Sequence, residues 1–358
     1  MAYTSIDNPE LYFQTKLYTG DGSSTQAITL DGDENMQPDW IWIKNRTDGH
    51  YHNLNDSVRG VGAAAVLRSN TNGVEGGTSG HVSVIGSNGF TVAAGTSDSE
   101  EVNTSSDNYV AWNWKAGTSF SNSAGANGAD LASDGSYNRT AGFSIVKFTG
   151  NATANQQIYH GLNSIPKVMI LKNRTNGNNE SWSVYHQSVG NTKKITLDTT
   201  AAPATSNEFW EDTTPTSTVF TVGRQDATNG SGNTHSVYCF SEVKGYSKFG
   251  SYTGNGNADG TFVYTGFRPA WVMVKRTDTT NNWLIWDTKR EGYNVDNDAL
   301  LANTSDAEET DDRVDILSNG FKMRGSQVAN NASGGTYIYM AFAEAPFVTS
   351  SGVPACAR

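Results

Sequence analysis

Apolar residues along this chain come in short runs broken by Gly, Asn, Ser and Thr, and no stretch shows the sustained spacing of a long amphipathic helix. The pattern predicts short strands joined by many tight turns, with helices scarce. One kind of run stands out. A proline leads into a continuously apolar stretch that ends in a basic turn: Pro38, then Trp40, Ile41, Trp42 and Ile43, then Lys44, Arg46 and Thr47. A strand apolar at every position is expected to lie centrally, covered on both faces, with proline tolerated at its start.

That run occurs three times. Its second copy goes from Pro166 through Val168, Met169, Ile170 and Leu171 to Lys172, Arg174 and Thr175. Its third goes from Pro269 through Trp271, Val272, Met273 and Val274 to Lys275, Arg276 and Thr277. Four other landmarks keep the same order. They are an aromatic-Thr-Gly turn at Tyr18, Phe148 and Tyr252, a short strand and turn ending at Thr71, Thr199 and Thr304, a late aromatic at Phe90, Phe220 and Phe321, and a closing strand starting at Tyr109, His235 and Tyr337. The landmarks shift by 126 to 130 residues from the first copy to the second and by 101 to 105 from the second to the third. Matches at nearly one spacing indicate three diverged copies of one supersecondary plan.

The expected fold class is all-β, three tandem diverged β-sandwich domains of jelly-roll type. The expected divisions are an N-terminal attachment segment (1–14), repeat 1 (15–117), a Gly/Ser/Asn-rich flexible linker or long exposed loop (118–140), repeat 2 (141–245), repeat 3 (246–348) and a C-terminal tail (349–358). Repeats 1 and 2 are expected to be hinged. Repeats 2 and 3, joined through Tyr246 and Phe249, are expected to move together. Asn88-Gly89 and Asn319-Gly320 supply the positive φ of tight hairpins.

Composition narrows the function. Charged residues make up 17% and the formal net charge is −11, which argues against a partner held mainly through phosphate contacts, so nucleic acid is a poor candidate. No stretch approaches a membrane span, and Met1 to Tyr18 lacks the basic start and apolar centre of a signal peptide, so cytosolic assembly without membrane insertion is the expectation. The cysteines, Cys239 and Cys356, are too few for a disulfide framework.

Candidate chemistry is sparse. Asp31, Asp33 and Asn35 alternate as oxygen ligands do in calcium loops, but Met36 stands where such a loop needs glycine, so a surface turn is the preferred reading. Glu308, Glu309, Asp311 and Asp312 read as a solvated acidic loop. Apart from His50 and His52, which fall in a polar turn, the six histidines lack metal-type spacing, no Ser or Cys sits in a nucleophile motif, and the repeated position Asp56, His186, Asp287 is not chemically constant. No catalytic residue, cofactor or metal site is therefore expected. A paired-carboxylate glycosidase, which need leave no local motif, stays open. The repeated Lys44 and Arg46, Lys172 and Arg174, and Lys275 and Arg276 are candidate ligand contacts for a carboxylate or acidic sugar, although an intradomain salt bridge is the preferred reading. Trp40, Trp42, Trp182, Trp271, Trp283 and Trp286 fall in strand patterns and are expected in the core.

The chain resembles a family of phage virion structural proteins, tail-fibre-like, from marine and cyanobacterial phages, with a repeated domain of unknown function. The resemblance is carried by Met-Ala-Tyr-Thr with Tyr12-Phe13-Gln14, Pro38 to Thr47, Tyr109 to Gly117, Glu242 to Gly256, Phe262 to Thr277 and Gly334 to Phe347. It implies lectin-like sandwiches, a virion surface location after assembly in the host cytoplasm, other virion proteins as partners, a homo-oligomer that is trimeric by analogy with fibres, and contact with a host cell-surface glycan. The resulting expectation is a fibre, appendage or capsid-decoration subunit and not an enzyme, with a soluble lectin module or a virion polysaccharide-degrading enzyme as alternatives. Tyr12, Phe13 and Gln14 are the expected particle-docking residues, in a segment whose removal should leave folding intact.

Overall fold

In the computed structural model, residues 3–98, 100–175, 179–290, 294, 298–311 and 313–355 are described. The fold is an all-β sandwich fold in which one strand plan recurs three times. In repeat 1, β1 (Phe13–Thr19), β2 (Thr25–Thr29), β3 (Trp40–Asn45), β4 (Asn53–Asp56), β5 (His81–Gly86), β6 (Gly89–Ala93) and β7 (Asn108–Trp114) form two antiparallel sheets, ordered β1-β7-β3-β4 and β2-β6-β5. The first strand pairs with the last and the second with the penultimate, which is jelly-roll wrapping. As its uninterrupted apolar run predicts, β3 lies between β7 and β4 with every residue buried.

Next come β8 (Thr118–Asn122) and β9 (Ser133–Asn138). Repeat 2 is then built from β10 (Phe143–Thr149), β11 (Gln156–Tyr159), β12 (Val168–Asn173), β13 (Ser183–His186), β14 (Lys193–Thr196), β15 (Ala204–Thr205), β16 (Val219–Val222), the one-turn helix α1 (Asp226–Asn229) and β17 (Thr234–Phe240). Repeat 3 comprises β18 (Ser247–Thr253), β19 (Phe262–Tyr264), β20 (Phe267–Arg276), β21 (Trp283–Asp287), β22 (Leu300–Leu301), β23 (Val314–Leu317), β24 (Gly320–Met323) and β25 (Thr336–Pro346). First–last and second–penultimate pairing hold in both.

Residues 118–140 depart from the flexible linker read from composition. They fold as the hairpin β8–β9, and β9 pairs with β10, extending the large sheet of repeat 2 to the order β15-β14-β13-β12-β17-β10-β9-β8. Backbone pairing at a sheet edge needs no apolar run, so a polar segment forms it. Phe120 and Tyr137 then pack against the core of repeat 2. The glycines of the two Asn-Gly turns also serve a need beyond positive φ. Gly89 has φ 126°, while Gly320 does not have positive φ. At both, a Cβ would collide with a carbonyl of the neighbouring strand, that of Ile28 or Val263.

Period-2 alternation explains how both faces of the large sheets are covered. On β3 and β7, Ile41, Ile43, Tyr109 and Ala111 point into the sandwich of repeat 1, while Trp40, Trp42, Trp112 and Trp114 point out of it into a second core. On β12 and β17, Met169, Leu171, Val237 and Cys239 face inward, while Val168, Ile170, Tyr238 and Phe240 join that same second core. Repeat 3 contributes Trp271 and Phe342. The equivalent residues Trp114, Phe240 and Phe342 meet each other, with ring centroids 6.5, 5.6 and 5.7 Å apart. Trp40 stacks on Tyr238 at 4.2 Å. The three repeats thus close into a ring about an approximate threefold axis, and a hinge between repeats 1 and 2 would have to open this aromatic core. Phe249, on β18 just after the short connection, touches both Phe240 and Phe342.

The N-terminal segment is a strap across repeat 3. Tyr3 Oη donates to the Gly266 carbonyl at 2.8 Å, and Ile6 and Phe13 are buried in the shared core. The expectation for Tyr12, Phe13 and Gln14 changes accordingly. Phe13 stacks on Phe342, Tyr12 meets Tyr246 edge-on, and the buried Gln14 amide donates to the carbonyls of Glu10 and Glu34. These are packing residues of the closed fold, so their removal is expected to damage folding.

Candidate functional site

The residues repeated in all three copies converge on the seams between them. Lys44, Lys172 and Lys275 are fully buried, and each ammonium donates across a seam to a backbone carbonyl at one equivalent position: Ser305 at 3.1 Å, Asn72 at 2.8 Å and Thr200 at 2.9 Å. Burial pulls all three down to about 8, which leaves them mostly charged at neutral pH. A second repeated donor does the same. Trp182 donates to the Arg68 carbonyl and Trp283 to that of Thr196, both at 2.9 Å. In repeat 1 the equivalent residue is His52, whose Nδ1 accepts from the Trp42 indole, so its Nε2–H faces the Leu301 carbonyl at 3.0 Å.

Two seams add buried ion pairs. Arg59 bonds Asp56 and, at 2.6 Å, Glu75, which in turn receives Arg174 at 2.9 Å. Tyr238 donates to Asp56 at 2.8 Å. The equivalent set in repeat 3 is Arg290 on Asp287 and Glu308, with Arg46 on Glu308 at 2.8 Å and the Trp112 indole on Asp287 at 2.9 Å. At the third seam, His186, Val189 and Pro203 hold the corresponding positions, and His186 Nε2 meets the Tyr339 carbonyl at 3.1 Å. Arg276 pairs within its own repeat with Asp278 at 2.7 Å. The six basic residues expected as ligand contacts are therefore held mainly by carbonyls and carboxylates of the protein. Arg46 and Arg174 pair with carboxylates of another repeat, unlike the expected intradomain bridge, while Lys44, Lys172 and Lys275 each bond carbonyls both across a seam and within their own repeat, at Asn45, Glu180 and Asn281.

The other ionisable groups are similarly engaged. His160 and His186 accept a backbone N–H at Nδ1 and face a carbonyl at Nε2, and His235 contacts the Asp226 and Asn233 carbonyls. Burial lowers His52 to about 3 and the other three to about 4, so all are neutral at pH 7. Burial also pushes the Cys239 thiol up. Cys356 and Asp312 lie outside the described residues. Asp31 pairs with Lys16 at 2.9 Å, and the loop after it is exposed, while Glu309 and Asp311 both pair with Arg313.

One solvent-open region lies at one end of the axis. There the turns after the third landmark enclose a depression of about 660 Å³, lined by Asn70 and Thr71 of repeat 1, Asp198 and Thr199 of repeat 2, and Asn303 and Thr304 of repeat 3. The Asx side chains are fixed from behind, their Oδ1 atoms accepting the backbone N–H of His52, Trp182 and Trp283. Tyr51, 48% exposed, lines this depression and a smaller neighbouring one, of about 320 Å³, that includes His50, Asp98 and Glu100. Beside it, Asp48, His50 and Asp107 bring one ligand atom each within 4.8 Å of one another, a set able to offer three ligands to a divalent cation. Asn45 holds Asp107 at 2.8 Å, and His50 lies 3.2 Å from Glu100. Their separation in sequence hid this grouping: Asp48 and His50 follow one strand and Asp107 precedes another.

A three-repeat β-sandwich ring, closed by buried donors and carrying a polar depression on its axis, defines the class of protein. Residues 8–346 match the model of a domain of unknown function, DUF7483, and the chain belongs to that family. The match takes in all three repeats. No curated protein matches the chain.

Proposed function

We propose that this chain is a non-enzymatic structural and binding module, a virion-surface subunit of a phage fibre, appendage or capsid decoration. The observation that carries this reading is the destination of the repeated ionisable residues. Many of their bonds cross between repeats and tie the ring together, and among the described residues the buried histidines are spent on backbone groups and, in His52, on the Trp42 indole. The resemblance of long segments to phage virion proteins supplies the setting. Other virion proteins are the natural partners. One chain here already carries threefold symmetry, so a single copy could seat on a threefold-symmetric partner where a fibre would otherwise use a homotrimer.

A soluble glycan-binding module is the second reading, favoured by the polar axial depression with its exposed Tyr51. An antibody raised against the recombinant chain separates the two. Gold labelling of purified phage particles at tail or capsid, with peptides of the chain recovered from them, is the expected result. Recovery solely from the particle-free lysate overturns the virion role and leaves the free lectin.

A further inference from the structure

The axial depression combines three properties that binding sites need. Its walls are preorganised, because Asn70, Asp198 and Asn303 are each pinned by the first backbone N–H of a strand region, and the turn carbonyls beside them are held by buried ammonium groups. Little side-chain entropy is then lost on binding. Its lining is hydroxyl, amide and carboxylate in character, and its size falls within the range of about 300–1,000 Å³ usual for ligand sites. An aromatic ring also stands at its edge. Tyr51 is backed by the Arg68 guanidinium at 5.6 Å and keeps about half its surface open.

Charge decides among polar ligands. The three lysines nearest the depression are turned onto carbonyls, while Asp198 lines it and the exposed Asp306 stands at its rim. An anion, including an acidic sugar, meets carboxylates there and no free cation among those lysines. A neutral polyol meets donors and acceptors for its hydroxyls, and a ring on which the C–H face of a pyranose can lie.

We propose that the depression on the threefold axis binds a neutral saccharide, with Tyr51 stacking on the sugar ring and Asp306 accepting from its hydroxyls. This rests on the reading of the chain as a binding module and names its ligand class. It does not depend on particle incorporation.

The test is saturation-transfer NMR on the full chain with D-glucose, D-galactose, D-mannose, N-acetylglucosamine and D-glucuronate as probes. The expected result is transfer to at least one neutral sugar and none to glucuronate. Binding of that sugar should weaken about tenfold or more in both Tyr51→Ala and Asp306→Asn, with melting temperatures unchanged. Both side chains are exposed, and Thr71→Arg, which fills the depression, provides an independent block. No transfer to any neutral sugar, or equal transfer with all three variants folded, overturns the proposal. Saccharide binding by a chain absent from particles would overturn the virion role and leave this site standing.

Discussion

The two ionic seams and the neutral one close the same ring by different means. Between repeats 1 and 2, and between repeats 3 and 1, a buried arginine holds two carboxylates and a ring donor from the adjoining repeat completes the set. Between repeats 2 and 3, aspartate, arginine and glutamate are replaced together by His186, Val189 and Pro203. Joint replacement is what electrostatics demands, since losing one member strands a charge in a low-dielectric interior, whereas losing all leaves none to compensate. The donors aimed at backbone carbonyls persist at every seam. A carbonyl is present whatever the side chain, so such a bond survives divergence that a carboxylate partner does not.

The largest effect expected from breaking this contrast comes from Asp56→Ala, which leaves Arg59 short of a buried partner and should cost about 3–5 kcal/mol in urea unfolding. The quadruple variant Asp56→His, Arg59→Val, Glu75→Ala, Arg174→Ala, which removes every charge of the set, should cost less than that single change. A greater loss in the quadruple variant would mean that the ion pairs carry net stability. Next in size is acid. A histidine held neutral contributes stability that is complete above its unfolded value of about 6.5 and is lost as pH falls toward the folded value, which for His186 is about 4. The contribution is roughly 3 kcal/mol. His186→Gln should move the acid-unfolding midpoint to lower pH, and an unmoved midpoint would show that the neutral seam is not where acid acts. The smallest is Arg276→Ala. Its partner Asp278 lies in the same repeat and is 37% exposed, so the change should cost about 1 kcal/mol or less, against a larger loss for Arg174→Ala, which uncovers Glu75 at a seam. Melting temperatures of the two variants check the order.

The strand plan was legible because burial on two faces leaves an uninterrupted apolar run, as at Trp40 to Ile43, and because the copies keep their spacing. That same run already demanded a second cover for each large sheet. It could not say that the cover was the other two repeats, since Trp114, Phe240 and Phe342 read alike whether they meet each other or a different chain. The hairpin at 118–138 was hidden by its polar composition, with Phe120 and Tyr137 as the slight signal that it packs. Lys44, Lys172 and Lys275 were visible as a repeated feature, but a lysine bonded to carbonyls has no partner that sequence can reveal. The axial depression was equally hidden, because it is assembled from three turns more than a hundred residues apart, Asn70 to Asp198 to Asn303.

Closure of the ring also sets an order on the ribosome. Trp112 and Trp114 leave the ribosome early, yet the indole of Trp112 bonds Asp287 and that of Trp114 packs on Phe342, which are made more than 170 residues later. At about 5–20 residues per second, repeat 1 waits on the order of ten seconds or more with an uncovered tryptophan face. Nascent chains of this protein should therefore be clients of chaperones that shield aromatic surface until the third repeat arrives.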